Sequence, residues 1–107
     1  MTQISPQQLS EWIVDPNRRR PVLVDVREPW EFQICRIEGS VHIPMSTVPA
    51  GKDRLDPGAE TVMICHHGSR SFQAGLFLGR AGFSKVFNLS GGLDAWAKQV
   101  EPAMAVY

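Results

Sequence analysis

A cysteine, two histidines, a glycine, an arginine and two serines lie within seven consecutive residues of this chain. The stretch runs from Cys65 to Ser71 and directly follows an apolar segment at residues 61–64. Backbone N–H groups of a loop and the start of a following helix would direct positive potential at the sulfur and stabilise its thiolate form. Arg70 adds a permanent charge whose planar guanidinium suits an oxyanion. The pattern therefore predicts that Cys65 is a nucleophile in an anion-binding loop.

Strands that alternate with helices would position this loop. Strand patterns occupy residues 21–26, 40–44, 61–65 and 85–89. Helix patterns occupy residues 7–13, 29–33 and 71–81, and a last helix follows Gly91-Gly92. The continuous apolar character of the longer strands is typical of strands buried on both faces. We therefore expect an α/β fold with a central parallel sheet of about five strands and helices on both faces.

Smaller signals refine these elements. Ser5 is expected to cap the first helix with Pro6 at its first position, and Gly82 to end the helix at 71–81 in a left-handed conformation. Residues 45–60 contain two prolines and two glycines and predict a connection with at most a helical turn or two. In parallel sheets, functional loops follow the carboxyl ends of strands. Cys65 lies at such an end, and so do Asp25 and Arg27, which we expect to support the loop through an ion pair and hydrogen bonds.

Composition limits the range of functions. The chain has 107 residues, 43% of them hydrophobic, which predicts one domain over residues 1–107 with one real core. Eleven basic and eleven acidic residues cancel, so net charge favours neither a nucleic-acid nor a membrane partner. No apolar run approaches the length of a membrane span, and the first residues do not resemble a signal peptide. Two cysteines make no disulfide framework, so we expect a reduced, cytoplasmic protein.

Four blocks of the sequence together resemble the single-domain form of the rhodanese (thiosulfate sulfurtransferase) family. In chain order they are Asp25-Val26-Arg27-Glu28-Pro29-Trp30-Glu31-Phe32, Glu38-Gly39-Ser40-Val41-His42-Ile43-Pro44, Cys65-His66-His67-Gly68-Ser69-Arg70-Ser71 and Gly91-Gly92-Leu93-Asp94-Ala95-Trp96. The match covers nearly the whole chain. It departs from the family pattern at Cys35-Arg36-Ile37, where family members usually carry Gly-His-Ile, and at the histidine pair inside the loop.

The resemblance implies a three-layer rhodanese-like fold and a thiosulfate sulfurtransferase in which Cys65 carries sulfur as a persulfide. It implies that the substrate is bound by the loop residues His66, His67, Gly68, Ser69, Arg70 and Ser71. Arg70 would hold the oxyanion of the donor, and protonated His66 and His67 would attract it at the entrance. Thiosulfate would be the donor and cyanide the assay acceptor, with a thiol or protein acceptor in the cell. No cofactor is implied, and we expect a monomer or weak homodimer.

Other interpretations stay open at this point. A Cys-dependent phosphatase or arsenate reductase shares the fold, but its loop places five residues between cysteine and arginine, whereas four intervene here. A non-catalytic binding module would commonly lack the loop cysteine. Metal binding through the histidines has no supporting ligand spacing, so we expect no metal. Cys35 is most simply a semi-buried apolar residue, with a redox partnership to Cys65 as the alternative.

Overall fold

The computed structural model describes residues 1–107 and contains five strands, which form one sheet. The strands are β1 (Thr2–Ile4), β2 (Val22–Asp25), β3 (Val41–His42), β4 (Thr61–Ile64) and β5 (Val86–Leu89). The helices are α1 (Pro6–Val14), α2 (Pro29–Ile34), α3 (Val48–Gly51), α4 (Ser69–Arg80) and α5 (Gly92–Gln99), with 3₁₀ turns at Met45–Thr47 and Lys52–Arg54. All strand pairs are parallel, which confirms the expected parallel sheet of about five strands. The strand order is β1-β5-β4-β2-β3.

Two apolar cores lie on opposite faces of the sheet. Along β2, Leu23 joins the core beneath α1 and α5, and its neighbour Val24 joins the core beneath α4. Along β4, Ile64 faces the first core, and Cys65 belongs to the second. This alternation is the period of two that strands impose on their side chains. It sends the sulfur of Cys65 to the face of the sheet that α4 covers.

The helix ends follow the physical signals in the sequence. The Ser5 hydroxyl accepts a hydrogen bond from the Gln8 N–H, and the Gln8 side chain accepts one from the Ser5 N–H, which completes a capping box. Gly82 has φ +101° after α4, and the Phe83 N–H donates to the Leu78 carbonyl, so the predicted left-handed end is present. None of the helices has the length and apolar character that crossing a membrane requires.

Three details differ from the sequence-based expectation. No strand is predicted before the first helix, yet residues 2–4 form β1 and pair with Phe87 to Leu89. Residues 45–54 are helical almost throughout, which is more than the predicted turn or two. The helix after the cysteine starts at Ser69 rather than at residue 71, which brings its amino end closer to Cys65.

Candidate active site

The sulfur of Cys65 lies at the amino end of α4 and is almost completely covered, with 1% of the residue exposed. The Gly68 N–H donates to Cys65 Sγ at 3.0 Å, and the Ser71 hydroxyl oxygen lies 3.2 Å from it. Both donors favour negative charge on the sulfur, and the amino end of α4 adds the positive potential of its free N–H groups. The geometry thus provides the anion-stabilising surroundings that the sequence predicts for Cys65.

Gly68 gives the loop its shape. Its φ is +103°, a left-handed conformation that side chains with a Cβ rarely adopt. A Cβ there would also lie 3.3 Å from the Gly91 nitrogen and the Leu89 carbonyl oxygen, which are backbone atoms with little freedom to move. Glycine at this position therefore allows its N–H to turn inward onto the sulfur.

Asn88 is a buried polar residue of β5 that the sequence analysis did not assign to the site. Its amide nitrogen donates to the Gly68 carbonyl and to the Gln3 side chain, both at 3.0 Å. Its amide oxygen lies 2.5 Å from the Ser71 hydroxyl. That hydroxyl has one proton, so it donates either to Asn88 or to the sulfur. Asn88 therefore fixes the loop and competes for the proton that a Cys65 thiolate would receive.

The start of α5 closes the loop from the other side. The Leu93 N–H donates to the Cys65 carbonyl at 2.9 Å, and the Asp94 N–H donates to the His66 carbonyl at 3.0 Å. A Cβ on Gly92 would collide with both carbonyls. Glycine is thus required at position 92 because two strand-end loops approach each other here backbone to backbone.

Asp25 and Arg27 form an ion pair that is wholly buried. Arg27 Nη2 and Nε lie 2.7 and 2.9 Å from the two carboxylate oxygens of Asp25. Arg27 also donates to the Cys35 carbonyl at 2.6 Å, and its own carbonyl lies 2.7 Å from His42 Nε2. No hydrogen bond joins Asp25 or Arg27 directly to residues 65–71. Asp25 and Arg27 can therefore support the loop only indirectly, because their contacts fix the end of α2 at Cys35 and the position of His42 in β3.

Glu31 on α2 is the direct partner of the loop at residues 65–71. Its carboxylate accepts two hydrogen bonds from Arg70, at 2.7 and 2.9 Å, and one from the Glu28 N–H at 2.9 Å. These bonds, led by those from Arg70, lower the pKa of Glu31 from 4.5 to about 2. The same pairing raises the pKa of Arg70. The sequence predicts Glu31 only as part of the helix at residues 29–33, although it belongs to the first block that resembles the family.

The two loop histidines differ in their surroundings. The His66 ring is half-buried and lies 4.1 Å from the His67 ring, centre to centre. Burial, followed by the charge of His67, lowers the pKa of His66, so His66 is neutral at pH 7. These surroundings disfavour the protonated form of His66, in which we expect it to attract the donor. His67 is exposed over 68% of its side chain, and its Nε2 lies 3.9 Å from an Asp94 oxygen.

A metal-ligand set can be drawn from His66, His67 and Asp94, whose ligand atoms lie within 4.8 Å of one another. A tetrahedral zinc ion would require ligand atoms about 3.4 Å apart, given zinc–nitrogen distances of about 2.1 Å. Asp94 also accepts a hydrogen bond from Lys98 at 3.1 Å, which lowers the pKa of Asp94. The set would have to rearrange to hold a metal, and no other such set exists in the structure.

Tyr107 reaches the site from the far end of the sequence. Its hydroxyl accepts a hydrogen bond from Arg27 Nη1 at 3.0 Å and donates one to Glu31 Oε2 at 2.7 Å. Its ring lies 4.3 Å from the His66 ring and 5.4 Å from the Trp30 ring, centre to centre. Burial raises the pKa of Tyr107 to about 12, so its hydroxyl remains a neutral donor. No pattern in the sequence indicates this placement.

Two further predicted residues lie at the edge of the site. Ser69 is exposed and forms the first residue of α4. Cys35 is half-buried, and its sulfur lies 3.7 Å from Arg27 Nη1. It is a free thiol, as is Cys65.

Comparisons with known proteins agree with this geometry. The profile of the family described as "Rhodanese-like domain" matches residues 5–99. The chain is 38% identical over 106 residues to a probable adenylyltransferase/sulfurtransferase, MoeZ, of Mycobacterium tuberculosis; it spans 26% of that protein's length, and the match covers 97% of the chain. It is 39% identical over 75 residues to the thiosulfate sulfurtransferase GlpE of Pseudomonas fluorescens, a match that covers 70% of the chain and 69% of GlpE.

A solved structure shows the same fold. The crystal structure of a rhodanese-related protein from Thermoplasma volcanium superposes with a TM-score of 0.84 at 29% sequence identity. The superposition covers 95% of this chain and 96% of that one. The three-layer arrangement around a central parallel sheet is therefore shared over nearly the full length of both chains.

Proposed function

The chain belongs to the rhodanese-like domain family, and from this premise we propose that it is a sulfurtransferase whose Cys65 carries a sulfane sulfur from a small anionic donor to a thiophilic acceptor. The observation that carries the proposal is the hydrogen bond from the Gly68 N–H to Cys65 Sγ at 3.0 Å, at the amino end of α4 and with the Ser71 hydroxyl 3.2 Å from the same sulfur. A sulfur in these surroundings is stabilised as a thiolate, which is the reactive form of cysteine.

In the first step, the Cys65 thiolate attacks the outer sulfur of thiosulfate. A sulfur–sulfur bond forms to Cys65, the sulfur–sulfur bond of thiosulfate breaks, and sulfite leaves with the electron pair. The protein then holds a persulfide whose terminal sulfur carries the negative charge. We propose that backbone N–H groups of residues 66–71 stabilise that charge, as the Gly68 N–H already does for Cys65 Sγ at 3.0 Å.

In the second step, the acceptor attacks the terminal sulfur. Cyanide takes it as thiocyanate, and the electron pair of the broken bond returns to Cys65 as thiolate. A thiol acceptor reacts in the same way through its own thiolate, gives its proton to solvent and leaves as a persulfide. Two free cysteines suit the reducing, cytoplasmic compartment in which such thiols are abundant.

Arg70 is proposed to orient the oxyanion end of the donor. A guanidinium has five N–H donors, and Glu31 occupies two of them. The three that remain are available on a side chain that is 37% exposed. Glu31 thus holds the guanidinium in place and leaves part of it for the donor.

Thiosulfate is the donor we propose, because a relative at 39% identity is named a thiosulfate sulfurtransferase. The relative named MoeZ joins sulfurtransferase with adenylyltransferase in one name and is about four times as long as this chain. We therefore propose a cellular thiol, small or on a protein, as the acceptor.

Intact-protein mass spectrometry after incubation with thiosulfate tests the proposal. We expect a gain of one sulfur atom that cyanide removes, and no gain in Cys65→Ser. The matched control is Cys35→Ser, which should load like the parent chain. Trypsin separates the two cysteines, with Cys35 in the peptide 28–36 and Cys65 in the peptide 55–70. Sulfur found on Cys35 alone, or undiminished loading of Cys65→Ser, would exclude Cys65 as the carrier.

A further inference from the structure

The segment of residues 101–107 crosses from α5 to the catalytic loop. Met104 packs against the core beneath α1 and α5, and the Glu101 carboxylate accepts a hydrogen bond from the Trp96 indole at 3.0 Å. The segment then covers Cys35 and His66 and leaves a cavity of only about 10 Å³ beneath it. It is therefore packed onto the site at several points.

Tyr107 links α2 to the loop that carries Cys65. On the loop side its ring contacts His66, the residue that directly follows Cys65. On the opposite side its ring contacts Trp30, and its hydroxyl bonds to Glu31, which itself holds Arg70. The ring thus bridges α2 and the residue next to Cys65, which is itself only 1% exposed.

Each hydrogen bond of the Tyr107 hydroxyl joins it to a charged side chain. Arg27 is charged and donates to the phenolic oxygen, and Glu31 is charged and accepts its proton. Hydrogen bonds to charged groups are stronger than bonds between neutral ones. Both partners are already neutralised, Arg27 by Asp25 and Glu31 by Arg70. The tyrosine is therefore anchored without an uncompensated charge.

We propose that Tyr107 is a specificity-determining residue that admits small molecules to Cys65 and excludes bulky thiols while the 101–107 segment is docked. The inference rests on the proposed function for the identity of the acceptors, but the steric part concerns access to a thiol and stands by itself. Thiosulfate and cyanide are much smaller than a thiol such as glutathione and require less displacement of the ring. A larger thiol would require the ring to leave its place between Arg27 and Glu31.

Alkylation of Cys65 by a small and a bulky reagent tests access without sulfur transfer. Iodoacetamide is the small probe and fluorescein maleimide is the bulky one, with rates read from the tryptic peptide 55–70. In Tyr107→Ala, we expect the rate ratio of bulky to small reagent to rise about tenfold, the factor that corresponds to about 1.4 kcal/mol. Tyr107→Phe retains the ring without its anchor and should fall between the parent chain and Tyr107→Ala.

Pro102→Ala is the matched control, because Pro102 belongs to the same segment, is exposed and does not line the cavity beside Cys35 and His66. It should leave the ratio of the two alkylation rates unchanged. An equal rise in both rates in Tyr107→Ala, or the same change in Pro102→Ala, would overturn the proposal, because either would indicate general loosening of the segment.

The second measurement is discharge of the loaded persulfide by cyanide and by glutathione. Tyr107→Ala should accelerate discharge by glutathione about tenfold more than discharge by cyanide, and equal acceleration would contradict the inference. Failure of Cys65 to take up sulfur would refute the proposed function, whereas the alkylation ratio would still decide whether Tyr107 controls access.

Discussion

The ion pair between Glu31 and Arg70 predicts how the stability of this protein depends on pH. The Glu31 side chain is 5% exposed, and its pKa is lowered from 4.5 to about 2 in the folded protein. A carboxylate whose pKa is lower in the folded than in the unfolded state stabilises the fold above its unfolded pKa. A shift of this size corresponds to about 3 kcal/mol at neutral pH. That contribution is lost as pH falls from about 5 toward 2.

Most of the loss falls in a range that equilibrium unfolding can cover. Between pH 6 and pH 3, protonation of Glu31 in the unfolded chain alone should lower the free energy of unfolding by about 2 kcal/mol. Denaturant unfolding followed by Trp fluorescence at half-unit pH steps gives this quantity. The Glu31→Gln variant should be less stable than the parent chain at pH 6. Between pH 6 and pH 3, the loss of unfolding free energy in this variant should be smaller than the loss in the parent chain by about 2 kcal/mol.

Other carboxylates also titrate in this range, so the comparison requires a matched control. Glu11→Gln removes an exposed carboxylate of α1 that makes no ion pair, and its curve should run parallel to that of the parent chain. If Glu31→Gln and the parent chain lost the same stability between pH 6 and pH 3, Glu31 would not be held as a carboxylate by Arg70. Glu31 would then not be the charged partner that holds Arg70 in place.

Two further predictions concern the loop backbone. Gly68→Ala should lose about 1–2 kcal/mol of stability, the cost of a left-handed residue with a Cβ, and should slow sulfur loading of Cys65. The control Gly79→Ala, on the exposed face of α4, should gain about 0.5–1 kcal/mol and load normally. Equal effects of the two changes in unfolding and loading assays would contradict this reasoning. Asn88→Ala removes the donor to the Gly68 carbonyl, so it should lower the free energy of unfolding by about 1–3 kcal/mol and slow sulfur loading of Cys65. If a time course of loading, quenched at intervals, were unchanged, Asn88 would not position the loop.

Features set by neighbouring residues could be predicted from the sequence. The buried strands are continuous apolar runs, Ser5 and Gln8 are three residues apart, and Cys65 is followed at once by its loop and helix. Each of these features depends on residues close together in the chain, whose order determines it directly. The parallel sheet followed from the alternation of strands with helices.

Features set by distant pairs could not be predicted in this way. Glu31 and Arg70 are 39 residues apart, and Tyr107 and Arg27 are 80 apart. Strand β1 has only three residues and is held by pairing with β5 at the other end of the chain. A short exposed strand has little apolar pattern of its own, and a single Glu or Tyr carries no mark of its partner. These residues are identified only once the fold brings them together.

The charge balance at the site supports the proposal of a persulfide on Cys65. Arg27 is neutralised by Asp25 and Arg70 by Glu31, and burial lowers the pKa of His66. The positive potential at Cys65 therefore comes mainly from the Gly68 N–H and the amino end of α4, and the Ser71 hydroxyl lies 3.2 Å from the sulfur. Such dipoles stabilise one negative charge on sulfur without holding a divalent product strongly. In the reaction we propose, sulfite then leaves after the first step, and the sulfur that remains on Cys65 stays reactive toward an acceptor.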